Sequence, residues 1–228
     1  MGWSNTNNGE NSIIAGNQNS SEDSSNNNII SGSNNEVGDS ESPASENNII
    51  SGNKNKVIGS DNIVLGSSSV PLGLEEYNNR VNGSDNIILG DKNSLSNSAK
   101  YNVIIGNTNS SNKDYAYLLG NNLKSNSSNH KLAIGYYNSD VSSSLFEIGN
   151  GSGDASRKNA FSVSTAGNVF IQGKLMVGRE DLNSDRSNLL VLNDTGATLL
   201  DVRPARIYAK PTNSNYVLEM TQEVNSKN

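Results

Sequence analysis

Pairs of aliphatic residues closed by a glycine punctuate the first two thirds of the chain. Asn11-Ser12-Ile13-Ile14-Ala15-Gly16 is followed by Asn28-Ile29-Ile30-Ser31-Gly32 and Asn48-Ile49-Ile50-Ser51-Gly52. Asn62-Ile63-Val64-Leu65-Gly66, Asn86-Ile87-Ile88-Leu89-Gly90 and Asn102-Val103-Ile104-Ile105-Gly106 come next, and weaker copies end at Gly120, Gly135 and Gly149. Residues 59–66 and 83–90 are nearly identical, GSDNIVLG and GSDNIILG. Successive glycine steps from Gly16 to Gly149 are 16, 20, 14, 24, 16, 14, 15 and 14 residues, a base of 14 plus insertions. Self-similarity on a fixed period is the mark of a solenoid. The two largest insertions hold Glu41-Ser42-Pro43-Ala44 and Leu74-Glu75-Glu76-Tyr77, which read as loops bulging from a corner. A half-period shows at Val57-Ile58-Gly59 and at Leu72-Gly73, each seven residues after a main glycine. One coil therefore carries two short strands.

β-Branched residues suit pleated strands, and neighbours along a strand point to opposite faces. An Ile-Ile pair then needs burial on both sides. One face fills the interior of the chain's own coil, and the other requires a second surface. The expected repeat core is Ile13, Ile14, Ile29, Ile30, Ile49, Ile50, Ile63, Leu65, Ile87, Leu89, Ile104, Leu119, Ile134 and Ile148. The expected corners are Gly16, Gly32, Gly52, Gly66, Gly90, Gly106, Gly120, Gly135 and Gly149, where glycine allows a positive φ. Asparagine tolerates left-handed turns and stacks on itself in ladders. Burying two or three Ile or Val per coil contributes roughly 1.5–3 kcal/mol each. Ordering the backbone costs about 1–2 kcal/mol per residue, so a lone coil struggles. Stacking covers one surface, and a closed cyclic oligomer would cover another.

Composition sharpens this picture. Leu, Ile, Val and Phe supply 51 of 228 residues, whereas Asn and Ser fill about a third of the chain. That is a poor basis for a generic globular enzyme and is near the composition of disordered chains. Disorder gives no reason for Ile-Ile-x-Gly to recur on a fixed base, and the periodicity decides for an all-β solenoid. The net charge of −6 is scattered without a basic stripe, which argues against nucleic acid as a partner. The chain has no cysteine, hence no disulfide or thiolate chemistry. Apolar runs reach about four residues, as at Leu189-Leu190-Val191-Leu192, so no membrane insertion is expected. Met1-Gly2-Trp3-Ser4-Asn5-Thr6 lacks the features of a secretory signal and fits the myristoylation pattern only as short patterns often do by chance.

The repeats resemble the head repeats of trimeric autotransporter adhesins, the YadA-like family, whose unit reads N-S-V-A-I-G followed by a weaker half ending in another glycine. Asn11-Ser12-Ile13-Ile14-Ala15-Gly16 and Leu132-Ala133-Ile134-Gly135 match it best, and the likeness covers about residues 11–150. The resemblance implies a left-handed parallel β-roll, three chains around one axis, and an adhesive or spacer role. This chain departs from the family in its larger aliphatics, its irregular insertions and its lack of a translocating anchor. Such repeats also occur in phage tail fibre and baseplate proteins. The stretch from Asn159-Ala160-Phe161-Ser162-Val163 through Thr165-Ala166-Gly167-Asn168-Val169-Phe170-Ile171-Gln172-Gly173-Lys174-Leu175-Met176-Val177-Gly178 resembles a strand–turn–strand module of those proteins.

Three parts are expected: a lead-in over residues 1–10, the roll over 11–150, and a C-terminal β-hairpin domain over 151–228 that caps, attaches or faces a receptor. Gly149-Asn150-Gly151-Ser152-Gly153-Asp154 reads as a hinge. Phe161 and Val163 alternate on one side of Ala166-Gly167-Asn168, and Val169 and Ile171 on the other, which predicts a hairpin. A second hairpin is expected about Asn193-Asp194-Thr195-Gly196, and a further strand or short helix over residues 216–224.

No catalytic, cofactor or metal site is expected. The single histidine, His130, sits at a predicted corner, and serines are too abundant for their proximity to indicate a triad. Glu75, Glu76, Glu180 and Asp181 are candidate paired carboxylates for glycan hydrolysis, but adjacent acids on a strand face opposite ways and these mostly sit in predicted loops. Asp61 and Asp85 lack the double glycines and nine-residue spacing of calcium rolls and read as turn residues. The seven threonines form no ladder in register with the repeat, which removes ice binding. Tyr77, Tyr101, Tyr115, Tyr117, Tyr136 and Tyr137 are candidates for stacking on sugars. The expectation is a non-enzymatic, homotrimeric fibre module of a virion (tail fibre, baseplate or head fibre). Its partners would be copies of itself, other virion proteins and a host surface glycan or protein. A bacterial surface adhesin is the alternative, and a glycan-cleaving tailspike comes third.

Overall fold

The computed structural model describes residues 4–39, 44–67, 77–96 and 98–172. They form a β-solenoid of about eight coils, built from two parallel sheets. Insertions lift the mean coil from the base of 14 to about 16 residues. The larger sheet holds β2 (Ile13–Asn17), β4 (Ile29–Ser33), β6 (Ile49–Asn53), β8 (Ile63–Gly66), β10 (Ile87–Asp91), β12 (Val103–Asn107), β14 (Ala116–Asn121), β16 (Lys131–Tyr136) and β17 (Ser144–Asn150). The smaller sheet holds β1 (Thr6–Asn7), β3 (Ser20–Ser21), β5 (Glu36–Val37), β7 (Lys56–Ile58), β9 (Arg80–Asn82), β11 (Ser94–Leu95), β13 (Ser110–Ser111) and β15 (Lys124–Ser125). Each coil thus has one long and one short strand, as the half-period at Val57-Ile58-Gly59 implies.

Register follows the glycines. Gly16, Gly32, Gly52 and Gly66 pair in one run and Gly90, Gly106, Gly120, Gly135 and Gly149 in another. The two runs join where Ile87 pairs with Ile63 across the longest insertion. At Gly52 the requirement is steric as well as conformational: φ is +123° and a Cβ would lie 1.8 Å from the Gly66 carbonyl oxygen. No side chain fits there.

Two residues before each corner glycine stands the interior column: Ile14, Ile30, Ile50, Val64, Ile88, Ile104, Leu118 and Ala133, in unbroken register. All but Ile14, which is half-buried, are fully enclosed. Val37, Val57, Val81 and Leu95 of the smaller sheet face them and complete the core. The expected repeat core therefore divides. Ile30, Ile50 and Ile104 are enclosed, with Ile14 beside them. Ile13, Ile29, Ile49, Leu65, Ile87, Leu119 and Ile148 lie exposed on the outer face of the larger sheet. Ile63, Leu89 and Ile134 are half-exposed on that same face. Alternation along the strand is the reason, since both members of an Ile-Ile pair cannot enter one interior.

Polar columns flank the apolar one. Four residues before the glycines, Asn28, Asn48, Asn62, Asn86 and Asn102 stack in the interior, and from Asn48 onward each amide donates to the Oδ1 of the asparagine one coil earlier. On the other side run Asn5, Asn19, Asn35, Asn55, Asn79, Asn93 and Asn109, bonded in the same way. Most also receive a backbone N–H from the next coil on the same oxygen. A residue with φ near +55° precedes most of these asparagines, such as Asn34, Lys54 and Lys92 on one side and Asn27, Asn47, Asp61 and Asp85 on the other.

After β17 the pairing reverses. β18 (Asn159–Ser164) runs antiparallel to β17, and β19 (Val169–Ile171) antiparallel to β18. Phe161 faces Ile171 and Val163 faces Val169, the hairpin expected from their alternation. Residue 150 thus marks a change from parallel to antiparallel pairing within one continuous sheet. The hairpin expected near Asn193-Asp194-Thr195-Gly196 and the element expected at 216–224 lie outside the described residues.

Asn55 donates its backbone and side-chain N–H groups to Asn35 and its amide also to the Gly66 carbonyl, and it accepts from Asn79. N55A leaves those buried groups unpaired and is expected to cost about 3 kcal/mol, measured by denaturant unfolding. G52A is expected to abolish the stacked far-UV β signal altogether, because the clash is with backbone.

Candidate interaction face

The outer face of the larger sheet is the most chemically distinctive surface of the roll. One column reads Ile13, Ile29, Ile49, Ile63, Ile87, Val103, Tyr117, Leu132 and Phe146. Its neighbour reads Ala15, Ser31, Ser51, Leu65, Leu89, Ile105, Leu119, Ile134 and Ile148. Ile29, Ile49, Ile105 and Tyr117 are each more than 40% exposed. The outer column of the smaller sheet is the opposite in character: Thr6, Ser20, Glu36, Lys56, Arg80, Ser94, Ser110 and Lys124. One side of the roll is finished for water and the other is not. A contiguous apolar surface of this kind is a candidate interaction site.

The second column changes along the roll. Ala15, Ser31 and Ser51 are small, and Ser31 donates its hydroxyl to Ser51 Oγ at 3.0 Å. From Leu65 onward every residue is a large aliphatic, so the apolar face broadens towards the C-terminal coils.

The tyrosines separate into distinct settings. Tyr77 donates its hydroxyl to Glu36 at 2.6 Å, with the Lys56 ammonium 5.3 Å from its ring. Burial, then the Glu36 hydrogen bond, pushes the Tyr77 phenol above its ordinary value. Tyr101, Tyr115 and His130 occupy successive left-handed corners and stack face to face at 5.0 and 4.5 Å. Both faces of Tyr115 are thereby occupied, so it offers no ring face to a sugar. Tyr137 lies under the Arg157 guanidinium, Tyr117 belongs to the apolar face, and Tyr136 is half exposed. His130 thus serves as the end ring of a ladder. Asp61 accepts from the Asn47 amide at 3.1 Å, and Asp85 stands at the same corner one coil on. Glu75, Glu76, Glu180 and Asp181 lie outside the described residues.

The last coils hold a charged cluster at interior repeat positions. Lys131 stands where Ala116 stands one coil earlier, and Glu147 follows Ala133 in the interior column. Both are fully enclosed. Aligning the sequence on its corner glycines would have exposed them, because Glu147 sits two residues before Gly149. Lys131 Nζ lies 2.7 Å from Asp140 Oδ1 and 3.4 Å from Glu147 Oε1. Glu147 also accepts from the Asn138 amide and from the N–H groups of Asp140 and Val141.

Outside that cluster, the 3-10 turn Asp154–Ser156 closes over the final coil. Arg157 donates to the carbonyls of Asn122 and Asn138 and, with Lys124, to Asp154. Hydrogen bonds from Arg157 and then Lys124 hold the exposed Asp154 carboxyl below its ordinary value. A depressed folded-state value means that this closure is fully supported above the ordinary carboxylate pKa and is released as pH falls through the lower one. A carboxyl NMR titration should place Asp154 below about 3.9, and R157Q or high salt should move it back up.

No helix among the described residues is long and apolar enough to cross a membrane. No known protein family, curated protein or solved structure matches the chain.

Proposed function

We propose that this chain is a structural and adhesive fibre module, three copies of which pack the outer faces of their larger sheets around one axis. The observation that carries the reading is the contrast between the two outer surfaces. Among the described residues nothing covers most of the apolar columns from Ile13 to Phe146, whereas the smaller sheet already presents charge and hydroxyls to water. Three identical faces closing on an axis satisfy the apolar columns and leave no open end for further addition. Burial at about 25 cal/mol per Å² then adds a contribution that a single coil lacks.

Such a module acts mechanically. A stiff stack sets a distance, and each corner loop appears three times around the axis, so weak contacts combine by avidity. The resemblance of residues 159–178 to tail fibre and baseplate modules favours a virion appendage facing the host surface, with other virion proteins as neighbours. A bacterial surface adhesin would use the same architecture with an anchor supplied elsewhere.

Light scattering behind a sizing column is expected to give three times the chain mass. Aspartate at the centre of the face, as in I87D or L119D, is expected to reduce it to the chain mass while preserving the β signal, because each residue is outside the single-chain core. A compact wild-type monomer would overturn the trimer. Antibodies against the roll should label phage particles if the virion reading holds, and bacterial surfaces if the adhesin reading does.

A further inference from the structure

We propose that Lys131 and Asp140 condense into an intramolecular isopeptide bond, with Glu147 as the group that carries the protons. Three columns of the solenoid end in reactive side chains at one point. Lys131 terminates the column of Asn28 to Asn102, Asn138 stands three residues past Gly135 where the second asparagine column would continue, and Glu147 terminates the aliphatic column. Lys131, Asn138 and Glu147 are all fully enclosed. The enclosed amine and the enclosed Glu147 carboxylate therefore meet the half-buried Asp140 carboxyl, whose side chain is 13% exposed.

The geometry supplies each requirement of amide formation. Lys131 Nζ is 2.7 Å from Asp140 Oδ1, which holds the nucleophile against the carboxyl whose carbon it must attack. Asp140 is fixed from behind by the Asn126 N–H at 2.9 Å on Oδ2 and by the Ser127 hydroxyl at 2.8 Å on Oδ1. Glu147 Oε1 is 3.4 Å from the same Nζ, and its other oxygen accepts the Asp140 N–H at 3.2 Å. It lies beside the amine and on the backbone N–H of the residue that carries the acyl group, and we assign it the role of general base and acid. Lys131 Nζ also contacts Ser127 Oγ at 3.1 Å and the Val141 carbonyl at 2.9 Å, so the amine cannot swing away.

The step balances without an external reagent. A proton passes from the Nζ ammonium to Asp140 Oδ1 along their hydrogen bond, leaving an amine beside a carboxylic acid. The amine lone pair adds to Cγ, and Glu147 removes a second proton from nitrogen. Glu147 returns that proton to the departing hydroxyl, which leaves as water. One N–C bond forms, one C–O bond breaks, and the Glu147 carboxylate is restored. In the unreacted chain burial pushes Asp140 up, but hydrogen bonds from Lys131, the Asn126 N–H and Ser127 outweigh it and hold the carboxyl below its ordinary value. The Asp140 carboxyl thus starts ionised, and the reaction is a slow maturation that follows folding. Condensation replaces the Lys131–Asp140 ion pair by a neutral amide, while the Glu147 carboxylate keeps its hydrogen bonds from the Asn138 amide and the Asp140 and Val141 N–H groups. The product ties the start of β16 to the loop before β17, at the end from which the stack would otherwise peel.

Intact-mass spectrometry of the denatured full-length chain tests this. The expected mass is lower than that of the sequence by one water, and proteolysis should release a branched peptide joining Lys131 to Asp140. K131R, which has no amine nucleophile, should return to the full mass, and E147Q should stay there for want of the proton carrier. The wild-type reading decides the matter even where a variant fails to fold. A wild-type chain at its full sequence mass would overturn the proposal. Water loss that persists in K131R would also overturn it, by marking a succinimide at Asp140. Loss of ammonia with a Lys131–Asn138 branch would overturn the choice of Asp140 as acyl group.

Discussion

Two buried columns of asparagine govern this structure. A coil that turns twice within about 16 residues brings backbone N–H and C=O groups into the interior at each corner, and a buried backbone group without a partner is costly. The carboxamide answers this because it carries donor and acceptor on one short, rigid side chain. Along each column the Nδ2 of one asparagine donates to the Oδ1 of the preceding one, and that oxygen commonly accepts a backbone N–H of the later coil as well. The amide then reaches to a corner carbonyl, as Asn55 does to Gly66. Register, vertical spacing and corner shape are specified by the same contact. A slip of one residue would bring Ile29-type residues inside and expel the asparagines to water, so the pairing has no near alternative.

The irregular coil lengths follow from this constraint. Asn79 continues the column from Asn55 across a step of 24 residues, and Asn93 resumes it 14 residues later. Insertions are tolerated where they leave the columns intact, because a surface loop adds little closure cost as it lengthens. The glycines are bound to the same geometry: the backbone of the next coil passes where a side chain would begin, as at Gly52. The interior has room for one aliphatic residue per long strand between two polar columns. The second aliphatic of each pair is thus directed outward, and the apolar outer face is a consequence of how narrow the coil is.

Towards the C-terminal end the pattern breaks column by column. Ala116 and then Lys131 follow Asn102, Leu123 follows Asn109, and Glu147 follows Ala133. A further parallel coil would have to stack aliphatic and amide groups on buried charges, which is unfavourable. The chain instead turns back, and β18 pairs antiparallel to β17, with Phe161 packed against Phe146. The change of residue type and the change of strand direction occur together.

Much of the architecture was legible in the residues themselves. Ile-Ile-x-Gly on a base of 14 requires two short strands per coil, and Phe161/Val163 against Val169/Ile171 requires a hairpin, because side-chain alternation and glycine conformation are local properties of the chain. The asparagine ladders were legible as a tendency, since Asn stands four before and three after many corner glycines. Which aliphatic of a pair is enclosed was not legible, because Ile29 and Ile30 are chemically the same residue and only the direction of coiling separates them. Nor could the sequence show that Tyr101, Tyr115 and His130 form one stack, which depends on three corners coming into line. The meeting of Lys131, Asp140 and Glu147 is the clearest case. The glycine register marks Lys131 and Glu147 as interior positions, but only the coiling of residues 131–147 brings Asp140 to them and sets the ammonium between two carboxylates.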